Sequence, residues 1–184
     1  MDEEQPLTPA GTRVLDVAAT LFYRDGINTV GVARVAEVAG VTKKTLYDCF
    51  GSKDALVTRY LRQRHQRWWD HLEQRLETAP APRALVLFDA YFDHPWVDTG
   101  RGCAFLNAAA ELAPDHPALD VVRRHKELVR ARLTELVAET TGDPALAETL
   151  FLALEGATAQ LALADPTHVA AARRLAVAHL GEPV

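Results

Sequence analysis

The stretch VARVAEVAGVTKKTLYDCFGSKDAL, residues Val32 to Leu56, holds two short helical patterns around a Gly-Val turn. It also holds three of the chain's four lysines, Lys43, Lys44 and Lys53. Val32, Val35, Ala36 and Ala39 recur at helical spacing and predict a helix that buries one face. Gly40-Val41 turns the chain, and Thr42 is a capping residue for a helix whose inward positions are Leu46 and Phe50. Gly51 ends that helix, Ser52 caps the next, and Lys53 opens it. Two short helices joined by a glycine-containing turn describe a helix-turn-helix. In that motif the first turn of the second helix faces base edges in the major groove. Here that turn is Thr42, Lys43, Lys44 and Thr45. Lysine donates to guanine or to phosphate, and threonine hydrogen-bonds phosphate or touches a thymine methyl. Tyr47 brings a phenol within one turn. Lys53 lies at a helix N-terminus, where free N–H groups already favour an anion. The lysines therefore cluster where a polyanion is expected.

Outward from this stretch, the chain of 184 residues is long enough to bury a core of one large or two small domains. Its net charge is −5, so it is not built to coat nucleic acid nonspecifically. Residues 1–57 hold six Lys/Arg against eight Asp/Glu, so a DNA surface here has to be a local patch. Only Cys49 and Cys103 occur, which makes a disulfide framework improbable and a cytoplasmic location the expectation. The start, MDEEQPLTP, has no apolar signal region. No apolar run is read as approaching the ~20 residues of a membrane span, so no membrane partner is expected.

Alanine, leucine, valine and arginine dominate, and the pattern is helical throughout. Thr8-Pro9 starts a helix with Val14, Leu15, Ala18, Leu21 and Phe22 inward, closed by Gly26. Further helices are predicted over about 53–77, 83–92, 103–113, 118–140 and 145–164, with a last one capped by Asp165-Pro166 and ending near Gly181. The fold class is all-α with about nine helices. An N-terminal three-helix domain spans 1–52, and a C-terminal helical domain spans 53–184.

The order Val35-Ala36, Ala39-Gly40-Val41-Thr42, Thr45-Leu46-Tyr47, Phe50 and Ser52-Lys53-Asp54-Ala55-Leu56 resembles the DNA-binding domain of the TetR family of bacterial transcriptional regulators. Phe22, Gly26 and Thr29 also fit. The resemblance covers about residues 10–57. The family often carries a basic residue where Ala33 stands; here the arginine is Arg34, about 100° round the helix. Gly31 caps in place of Ser or Thr, Cys49 replaces a common His or Tyr, and Asp48 adds a negative charge. The resemblance implies a homodimer that binds a double-stranded DNA operator, and a second domain that takes a small-molecule effector.

The second half offers its own candidates. Cys103, Asn107 and Glu111 are spaced i, i+4, i+8 and form a polar stripe on an apolar helix, which lines a cavity or faces solvent. His125, between Val122 and Val129, is a ligand contact or a hydrogen-bonded core residue. Leu56, Tyr60, Leu61, Trp68, Leu72 and Leu76 form the inward stripe of the helix at 53–77, with Trp68 as core or effector-pocket wall. Phe88, Tyr91, Phe92 and Trp96 form the aromatic end of a cavity or plain core. Ala153, Gly156, Ala157 and Gln160 leave a small-residue face on the helix at 145–164. With Ala172, Leu175 and Ala176 of the last helix they predict a four-helix dimer interface. His94, Cys103, Glu111 and His116 lack the spacing of a zinc site, so no metal is expected. No cofactor or catalytic motif is present, so no enzyme is expected. The expected function is a ligand-responsive, sequence-specific repressor. The rival reading is a helical ligand- or partner-binding protein whose helix-turn-helix no longer reads DNA.

Overall fold

The structure is a computed structural model, and it describes residues 6–92, 100–163 and 167–182. Those residues form nine α-helices and no strand. In chain order they are α1 Pro9–Asp25, α2 Val32–Val38, α3 Lys43–Phe50, α4 Lys53–Leu76, α5 Ala84–Phe92, α6 Ala104–Glu111, α7 Ala118–Ala138, α8 Pro144–Gln160 and α9 Thr167–Leu180. A 3-10 turn, Leu161–Leu163, extends α8. The Asp165-Pro166 cap, His94 and Trp96 lie outside the described residues.

Local chemistry sets most of the boundaries. The hydroxyls of Thr8, Thr42 and Ser52 accept the N–H groups of Gly11, Thr45 and Ala55, and the Asp143 carboxylate accepts that of Ala145. Each satisfies a donor the first helical turn leaves orphaned, worth about 1 kcal/mol. Gly40 sits at φ 64, and Val41 N–H reaches back to the Ala36 carbonyl at 3.0 Å. This is a Schellman stop, and it turns the chain from α2 into α3. The helix expected over 103–113 is shorter, because Cys103 is its extended N-cap and Leu112 is already extended.

The helices α1, α2 and α3 pack on one another, and α1 also packs on α4, with Phe22 against Tyr60 and Asp16 paired with Arg67. The long α4 continues into the second bundle, where it meets α5 and α7. One apolar cluster runs without interruption from Val14 to Leu180. All six predicted inward residues of α4 are buried, and so is His65, which lies on the same stripe.

Part of the apolar surface of α8 lies bare in the single chain, next to the residues for which the sequence predicts a dimer interface. Leu152 is 62% exposed and Leu163 72% exposed, and Gly156 and Ala159 face outward beside them. Residues Pro144–Leu163, 20 in all, are long and apolar enough to cross a membrane by length and composition alone, which corrects the expected absence of such a run. Alanine and leucine hydropathy adds up over a segment with few charges. The apolar surface left bare on α8 adjoins an apolar groove against α9, described below.

Gly102 precedes α6 at φ 67, and a Cβ placed on it would stand 2.8 Å from the Thr158 carbonyl oxygen. Left-handed backbone and a backbone clash act together at this position. Gly102→Ala is expected to destabilise the fold by about 2–4 kcal/mol in urea unfolding. A change within ~0.5 kcal/mol would show that the loop shifts freely and that its contact with α8 is incidental.

Candidate DNA-reading head and effector cavity

The α3 helix presents Thr42, Lys43, Lys44 and Tyr47 to solvent, with Tyr47 45% exposed, while Leu46 anchors the opposite face in the core. The capping network ties up both hydroxyls, since Thr42 Oγ1 and Thr45 Oγ1 stand 2.9 Å apart and Thr42 caps the helix. These two threonines therefore hold the shape of the first turn. Lys44 Nζ pairs with Asp48 at 2.7 Å, and Arg34 pairs with Glu37 at 3.0 Å. Both pairs are solvent-exposed and worth at most a few tenths of a kcal/mol, so a phosphate can replace the carboxylate. Lys43 makes no ion pair among the described residues. Lys53 differs from the simple anion-site reading, because its Nζ donates to the Ile27 carbonyl at 2.6 Å. That bond fastens α4 to the end of the α1–α2 connection.

The head is joined to the second bundle by a set of polar contacts. Tyr23 Oη, buried on α1, donates to the Gly102 carbonyl at 2.7 Å. Arg101 donates to the Tyr23 carbonyl at 2.9 Å. Asn28 N–H donates to Glu111 Oε2 at 3.0 Å, and Asn28 Nδ2 donates to the Glu111 carbonyl at 2.6 Å. Gly26, at φ 94, leaves room for this carboxylate, because a Cβ there would lie 3.1 Å from Oε2. The Arg64 guanidinium on α4 stacks over the Tyr23 ring at 4.3 Å.

A cavity of about 30 Å³ lies behind this joint, with Arg64, Trp68, Tyr91, Cys103, Phe105 and His125 in its wall, and Gly102 and Thr158 beside them. Phe105 stacks on His125 with ring centroids 3.7 Å apart. Trp68 meets Tyr91 and His125 edge-on at 5.2 and 5.3 Å. Cys103 Sγ lies 3.4 Å from Tyr91 Oη and 3.5 Å from Lys126 Nζ, and Lys126 also donates to Glu155 at 2.7 Å. Burial opposes the charge on Lys126, but Tyr91, Cys103 and Glu155 outweigh it and hold the ammonium above the ordinary lysine range.

The structure thus brings Trp68, Tyr91, Cys103 and His125 together, and it places Asn107, Glu111 and Phe92 elsewhere. Asn107 turns its amide to the Arg101 carbonyl at 2.9 Å instead of lining the cavity. Glu111 is the joint to Asn28, because α6 points its C-terminal turn at the head. Phe92 is half-buried beside Tyr91 with centroids 6.1 Å apart, outside the lining. Arg64, Phe105 and Thr158 were not anticipated as lining. Periodicity marks the face of a helix, and these three come from three different helices or their flanks.

Among the described residues, no three His, Cys, Asp or Glu side chains gather to hold a metal. His116 accepts the Ala118 N–H and stands 3.4 Å from Asp54. On α8 and α9, the predicted residues Ala153, Gly156, Ala157, Gln160, Ala172 and Leu175 share one apolar groove of about 380 Å³. Ala176 does not line it, being fully buried between the helices. Ala157 and Ala172 are also nearly buried, so they let α8 and α9 approach, and the outward surface is Leu152, Gly156 and Ala159.

Comparison with known proteins decides the family. Residues 14–60 match the model of bacterial regulatory proteins of the tetR family. An uncharacterized HTH-type transcriptional regulator of Mycobacterium tuberculosis is 30% identical over 155 residues, covering 70% of this chain and 74% of that protein. The chain belongs to the TetR family of bacterial transcriptional regulators. The transcriptional repressor KstR2 of Mycolicibacterium smegmatis is 28% identical over 147 residues, covering 78% of this chain and 71% of the repressor. A solved TetR-family regulator from Streptomyces coelicolor superposes with a TM-score of 0.82 at 30% identity, covering 95% of this chain and 91% of that one. The fold of this TetR-family chain is accordingly a helix-turn-helix domain followed by a helical second domain, and its relatives are regulators rather than enzymes.

The two buried imidazoles make a testable feature of the cavity wall. His65 Nδ1 and His125 Nδ1 are 3.0 Å apart, so one ring donates to the other and at least one is neutral. Burial, then Lys126, His65 and Arg64, push His125 well below the ordinary histidine value. Burial and Arg124 lower His65, with Asp70 opposing. Folded-state values below the unfolded ones mean that the unfolded chain binds more protons, so stability rises with pH in this range. Unfolding free energy is expected to fall as pH drops below ~6.5, by up to about 1.4 kcal/mol per pH unit for each imidazole. His125→Gln should flatten the slope in urea unfolding between pH 7 and 5. An unchanged slope would mean that these rings titrate as they do in the unfolded chain.

Proposed function

We propose that this regulator is a homodimeric repressor, released from a near-palindromic operator when a small molecule enters the Trp68 cavity. The observation that carries this reading is continuity: Gly102 is in the cavity wall and also accepts the Tyr23 hydroxyl of the head. A guest that moves Gly102 therefore acts on α1, and through it on α3. A ligand shifts such an equilibrium only by its differential affinity for the two arrangements, and DNA must disfavour the ligand by the same factor. The apolar groove on α8 and α9, with Leu152 exposed nearby, supports a two-fold contact between helix pairs. Two heads would then read half-sites about 34 Å or a multiple apart. Repressor is the name carried by the KstR2 relative, and a regulator that binds a bacterial operator is expected to work in the cytoplasm.

The rival reading, a head that no longer discriminates sequence, draws on one observation. Arg34 and Lys44 are neutralised by their own neighbours, and Lys53 is fastened to Ile27. Selection of duplexes from a random pool at physiological salt separates the two. The repressor reading expects one enriched palindrome. Lys44→Ala and Tyr47→Ala should each weaken binding to it by about tenfold or more while the dimer persists, with Lys44→Ala lowering the salt slope by about two, one for each head. Weak binding that is equal on every duplex would favour the rival instead.

A further inference from the structure

We infer that the cavity takes a flat, uncharged aromatic compound whose carbonyl oxygen accepts the Trp68 indole N–H. This rests on the cavity being the effector site. Trp68 is 4% exposed, and its Nε1–H makes no hydrogen bond among the described residues. A buried donor left unpaired in a cavity wall costs free energy until a guest supplies an acceptor. The neighbouring turn asks for the same group. Ala104 and Phe105, the first residues of α6, are also in the wall, and no side chain caps that helix. The N–H groups of a first helical turn point out of the helix end and favour an acceptor oxygen.

The other polar groups of the wall are already answered. The Tyr91 hydroxyl and the Cys103 thiol both meet Lys126, and Lys126 is neutralised by Glu155 at 2.7 Å. The Thr158 hydroxyl donates to the Glu155 carbonyl at 2.9 Å, His125 bonds to His65, and the Gly102 carbonyl accepts the Tyr23 hydroxyl. The Arg64 guanidinium is engaged over the Tyr23 ring and makes a further interaction besides. A carboxylate or an ammonium on the guest would therefore lose its water and gain no spare opposite charge. A carbonyl brings the acceptor without a charge to desolvate.

The open volume is about 30 Å³, room for a water-sized group. An aromatic guest therefore has to take the place of a wall ring. Phe105 is the ring it can replace, stacked on His125 with centroids 3.7 Å apart and planes 11° from parallel. A planar guest on His125 restores that stack. Phe105 lies three residues after Gly102, so moving it works on the segment that holds Tyr23.

The test is calorimetric titration of the full chain with acetophenone, isopropenylbenzene, benzoate and benzylamine. Isopropenylbenzene has the shape of acetophenone with a methylene in place of the oxygen. Acetophenone is expected to bind at least about fivefold tighter than isopropenylbenzene, and tighter than either charged compound. Trp68→Phe keeps a ring and removes the N–H, so it should erase the preference for acetophenone over isopropenylbenzene. Phe105→Ala opens the stacking place and should tighten acetophenone; weaker binding would overturn the place given to the guest's ring. Should a variant fold poorly, the wild type decides alone. One of its three tryptophan indole N–H signals must then move downfield on adding acetophenone and not on adding isopropenylbenzene. Equal affinity for those two compounds would overturn the inference, and so would benzoate or benzylamine binding as tightly as acetophenone. No acetophenone binding at ~10 mM would also overturn it, and would leave the indole to a trapped water. Whether the unliganded chain binds a selected duplex, and whether acetophenone releases it, decides the repressor reading separately.

Discussion

The buried hydrogen bond from the Tyr23 hydroxyl to the Gly102 carbonyl is the constraint on which the arrangement of this protein turns. It joins the first helix of the reading head to the segment that forms one wall of the cavity. A buried donor and acceptor that lose each other both pay desolvation, so the bond breaks only when something replaces it. Around it, Arg101 holds the Tyr23 carbonyl and Glu111 holds Asn28 by side chain and backbone. The shared apolar cluster gives the two bundles cohesion, and these directed bonds give them one orientation. A regulator needs that combination, because cohesion without direction would leave the spacing of two reading heads unset.

The charge pattern has a related logic. The chain is acidic overall, and two cations of its reading head, Arg34 and Lys44, are held in check by Glu37 and Asp48. Exposed pairs of this kind cost little to exchange for phosphates. Binding then depends on several weak contacts made together in the right geometry, which suits the release proposed above. The cavity is built in the opposite way, with few polar groups, most of them deeply set, and beside it a lysine whose charge is answered by Glu155.

Much of this architecture was legible in the sequence, and the legible part is local. Thr8, Thr42, Ser52 and Asp143 cap the helices they precede because capping is a three-residue interaction. The inward stripes of α1 and α4 followed from 3.6-residue spacing, and the family from the motif at 32–56. His65 was not read as buried, although it lies four residues after Leu61 and three before Trp68 on that stripe; His125 was read as a hydrogen-bonded core residue or ligand contact, but not with His65 as its partner. Glu111 was the instructive failure. Its spacing with Cys103 and Asn107 placed it on one face correctly, but a helix face faces different neighbours at its two ends. At the first turn of α6 the neighbour is the cavity; at the last it is Asn28, 83 residues away. On the bare apolar side of α8, Gly156 was read as interface while Leu152 and Ala159 were not: periodicity marks what is apolar, and only the packed chain shows which of it is covered.

The claim that directed bonds hold the head to the cavity segment is tested most directly by amide hydrogen exchange over residues 22–31 in the wild type and in Glu111→Ala. The account predicts faster exchange at Asn28 and its neighbours once the carboxylate is gone, with protection of the α1 core around Val14–Ala18 retained. Unchanged exchange at Asn28 would contradict it, and would mean that apolar packing alone sets the orientation of the head.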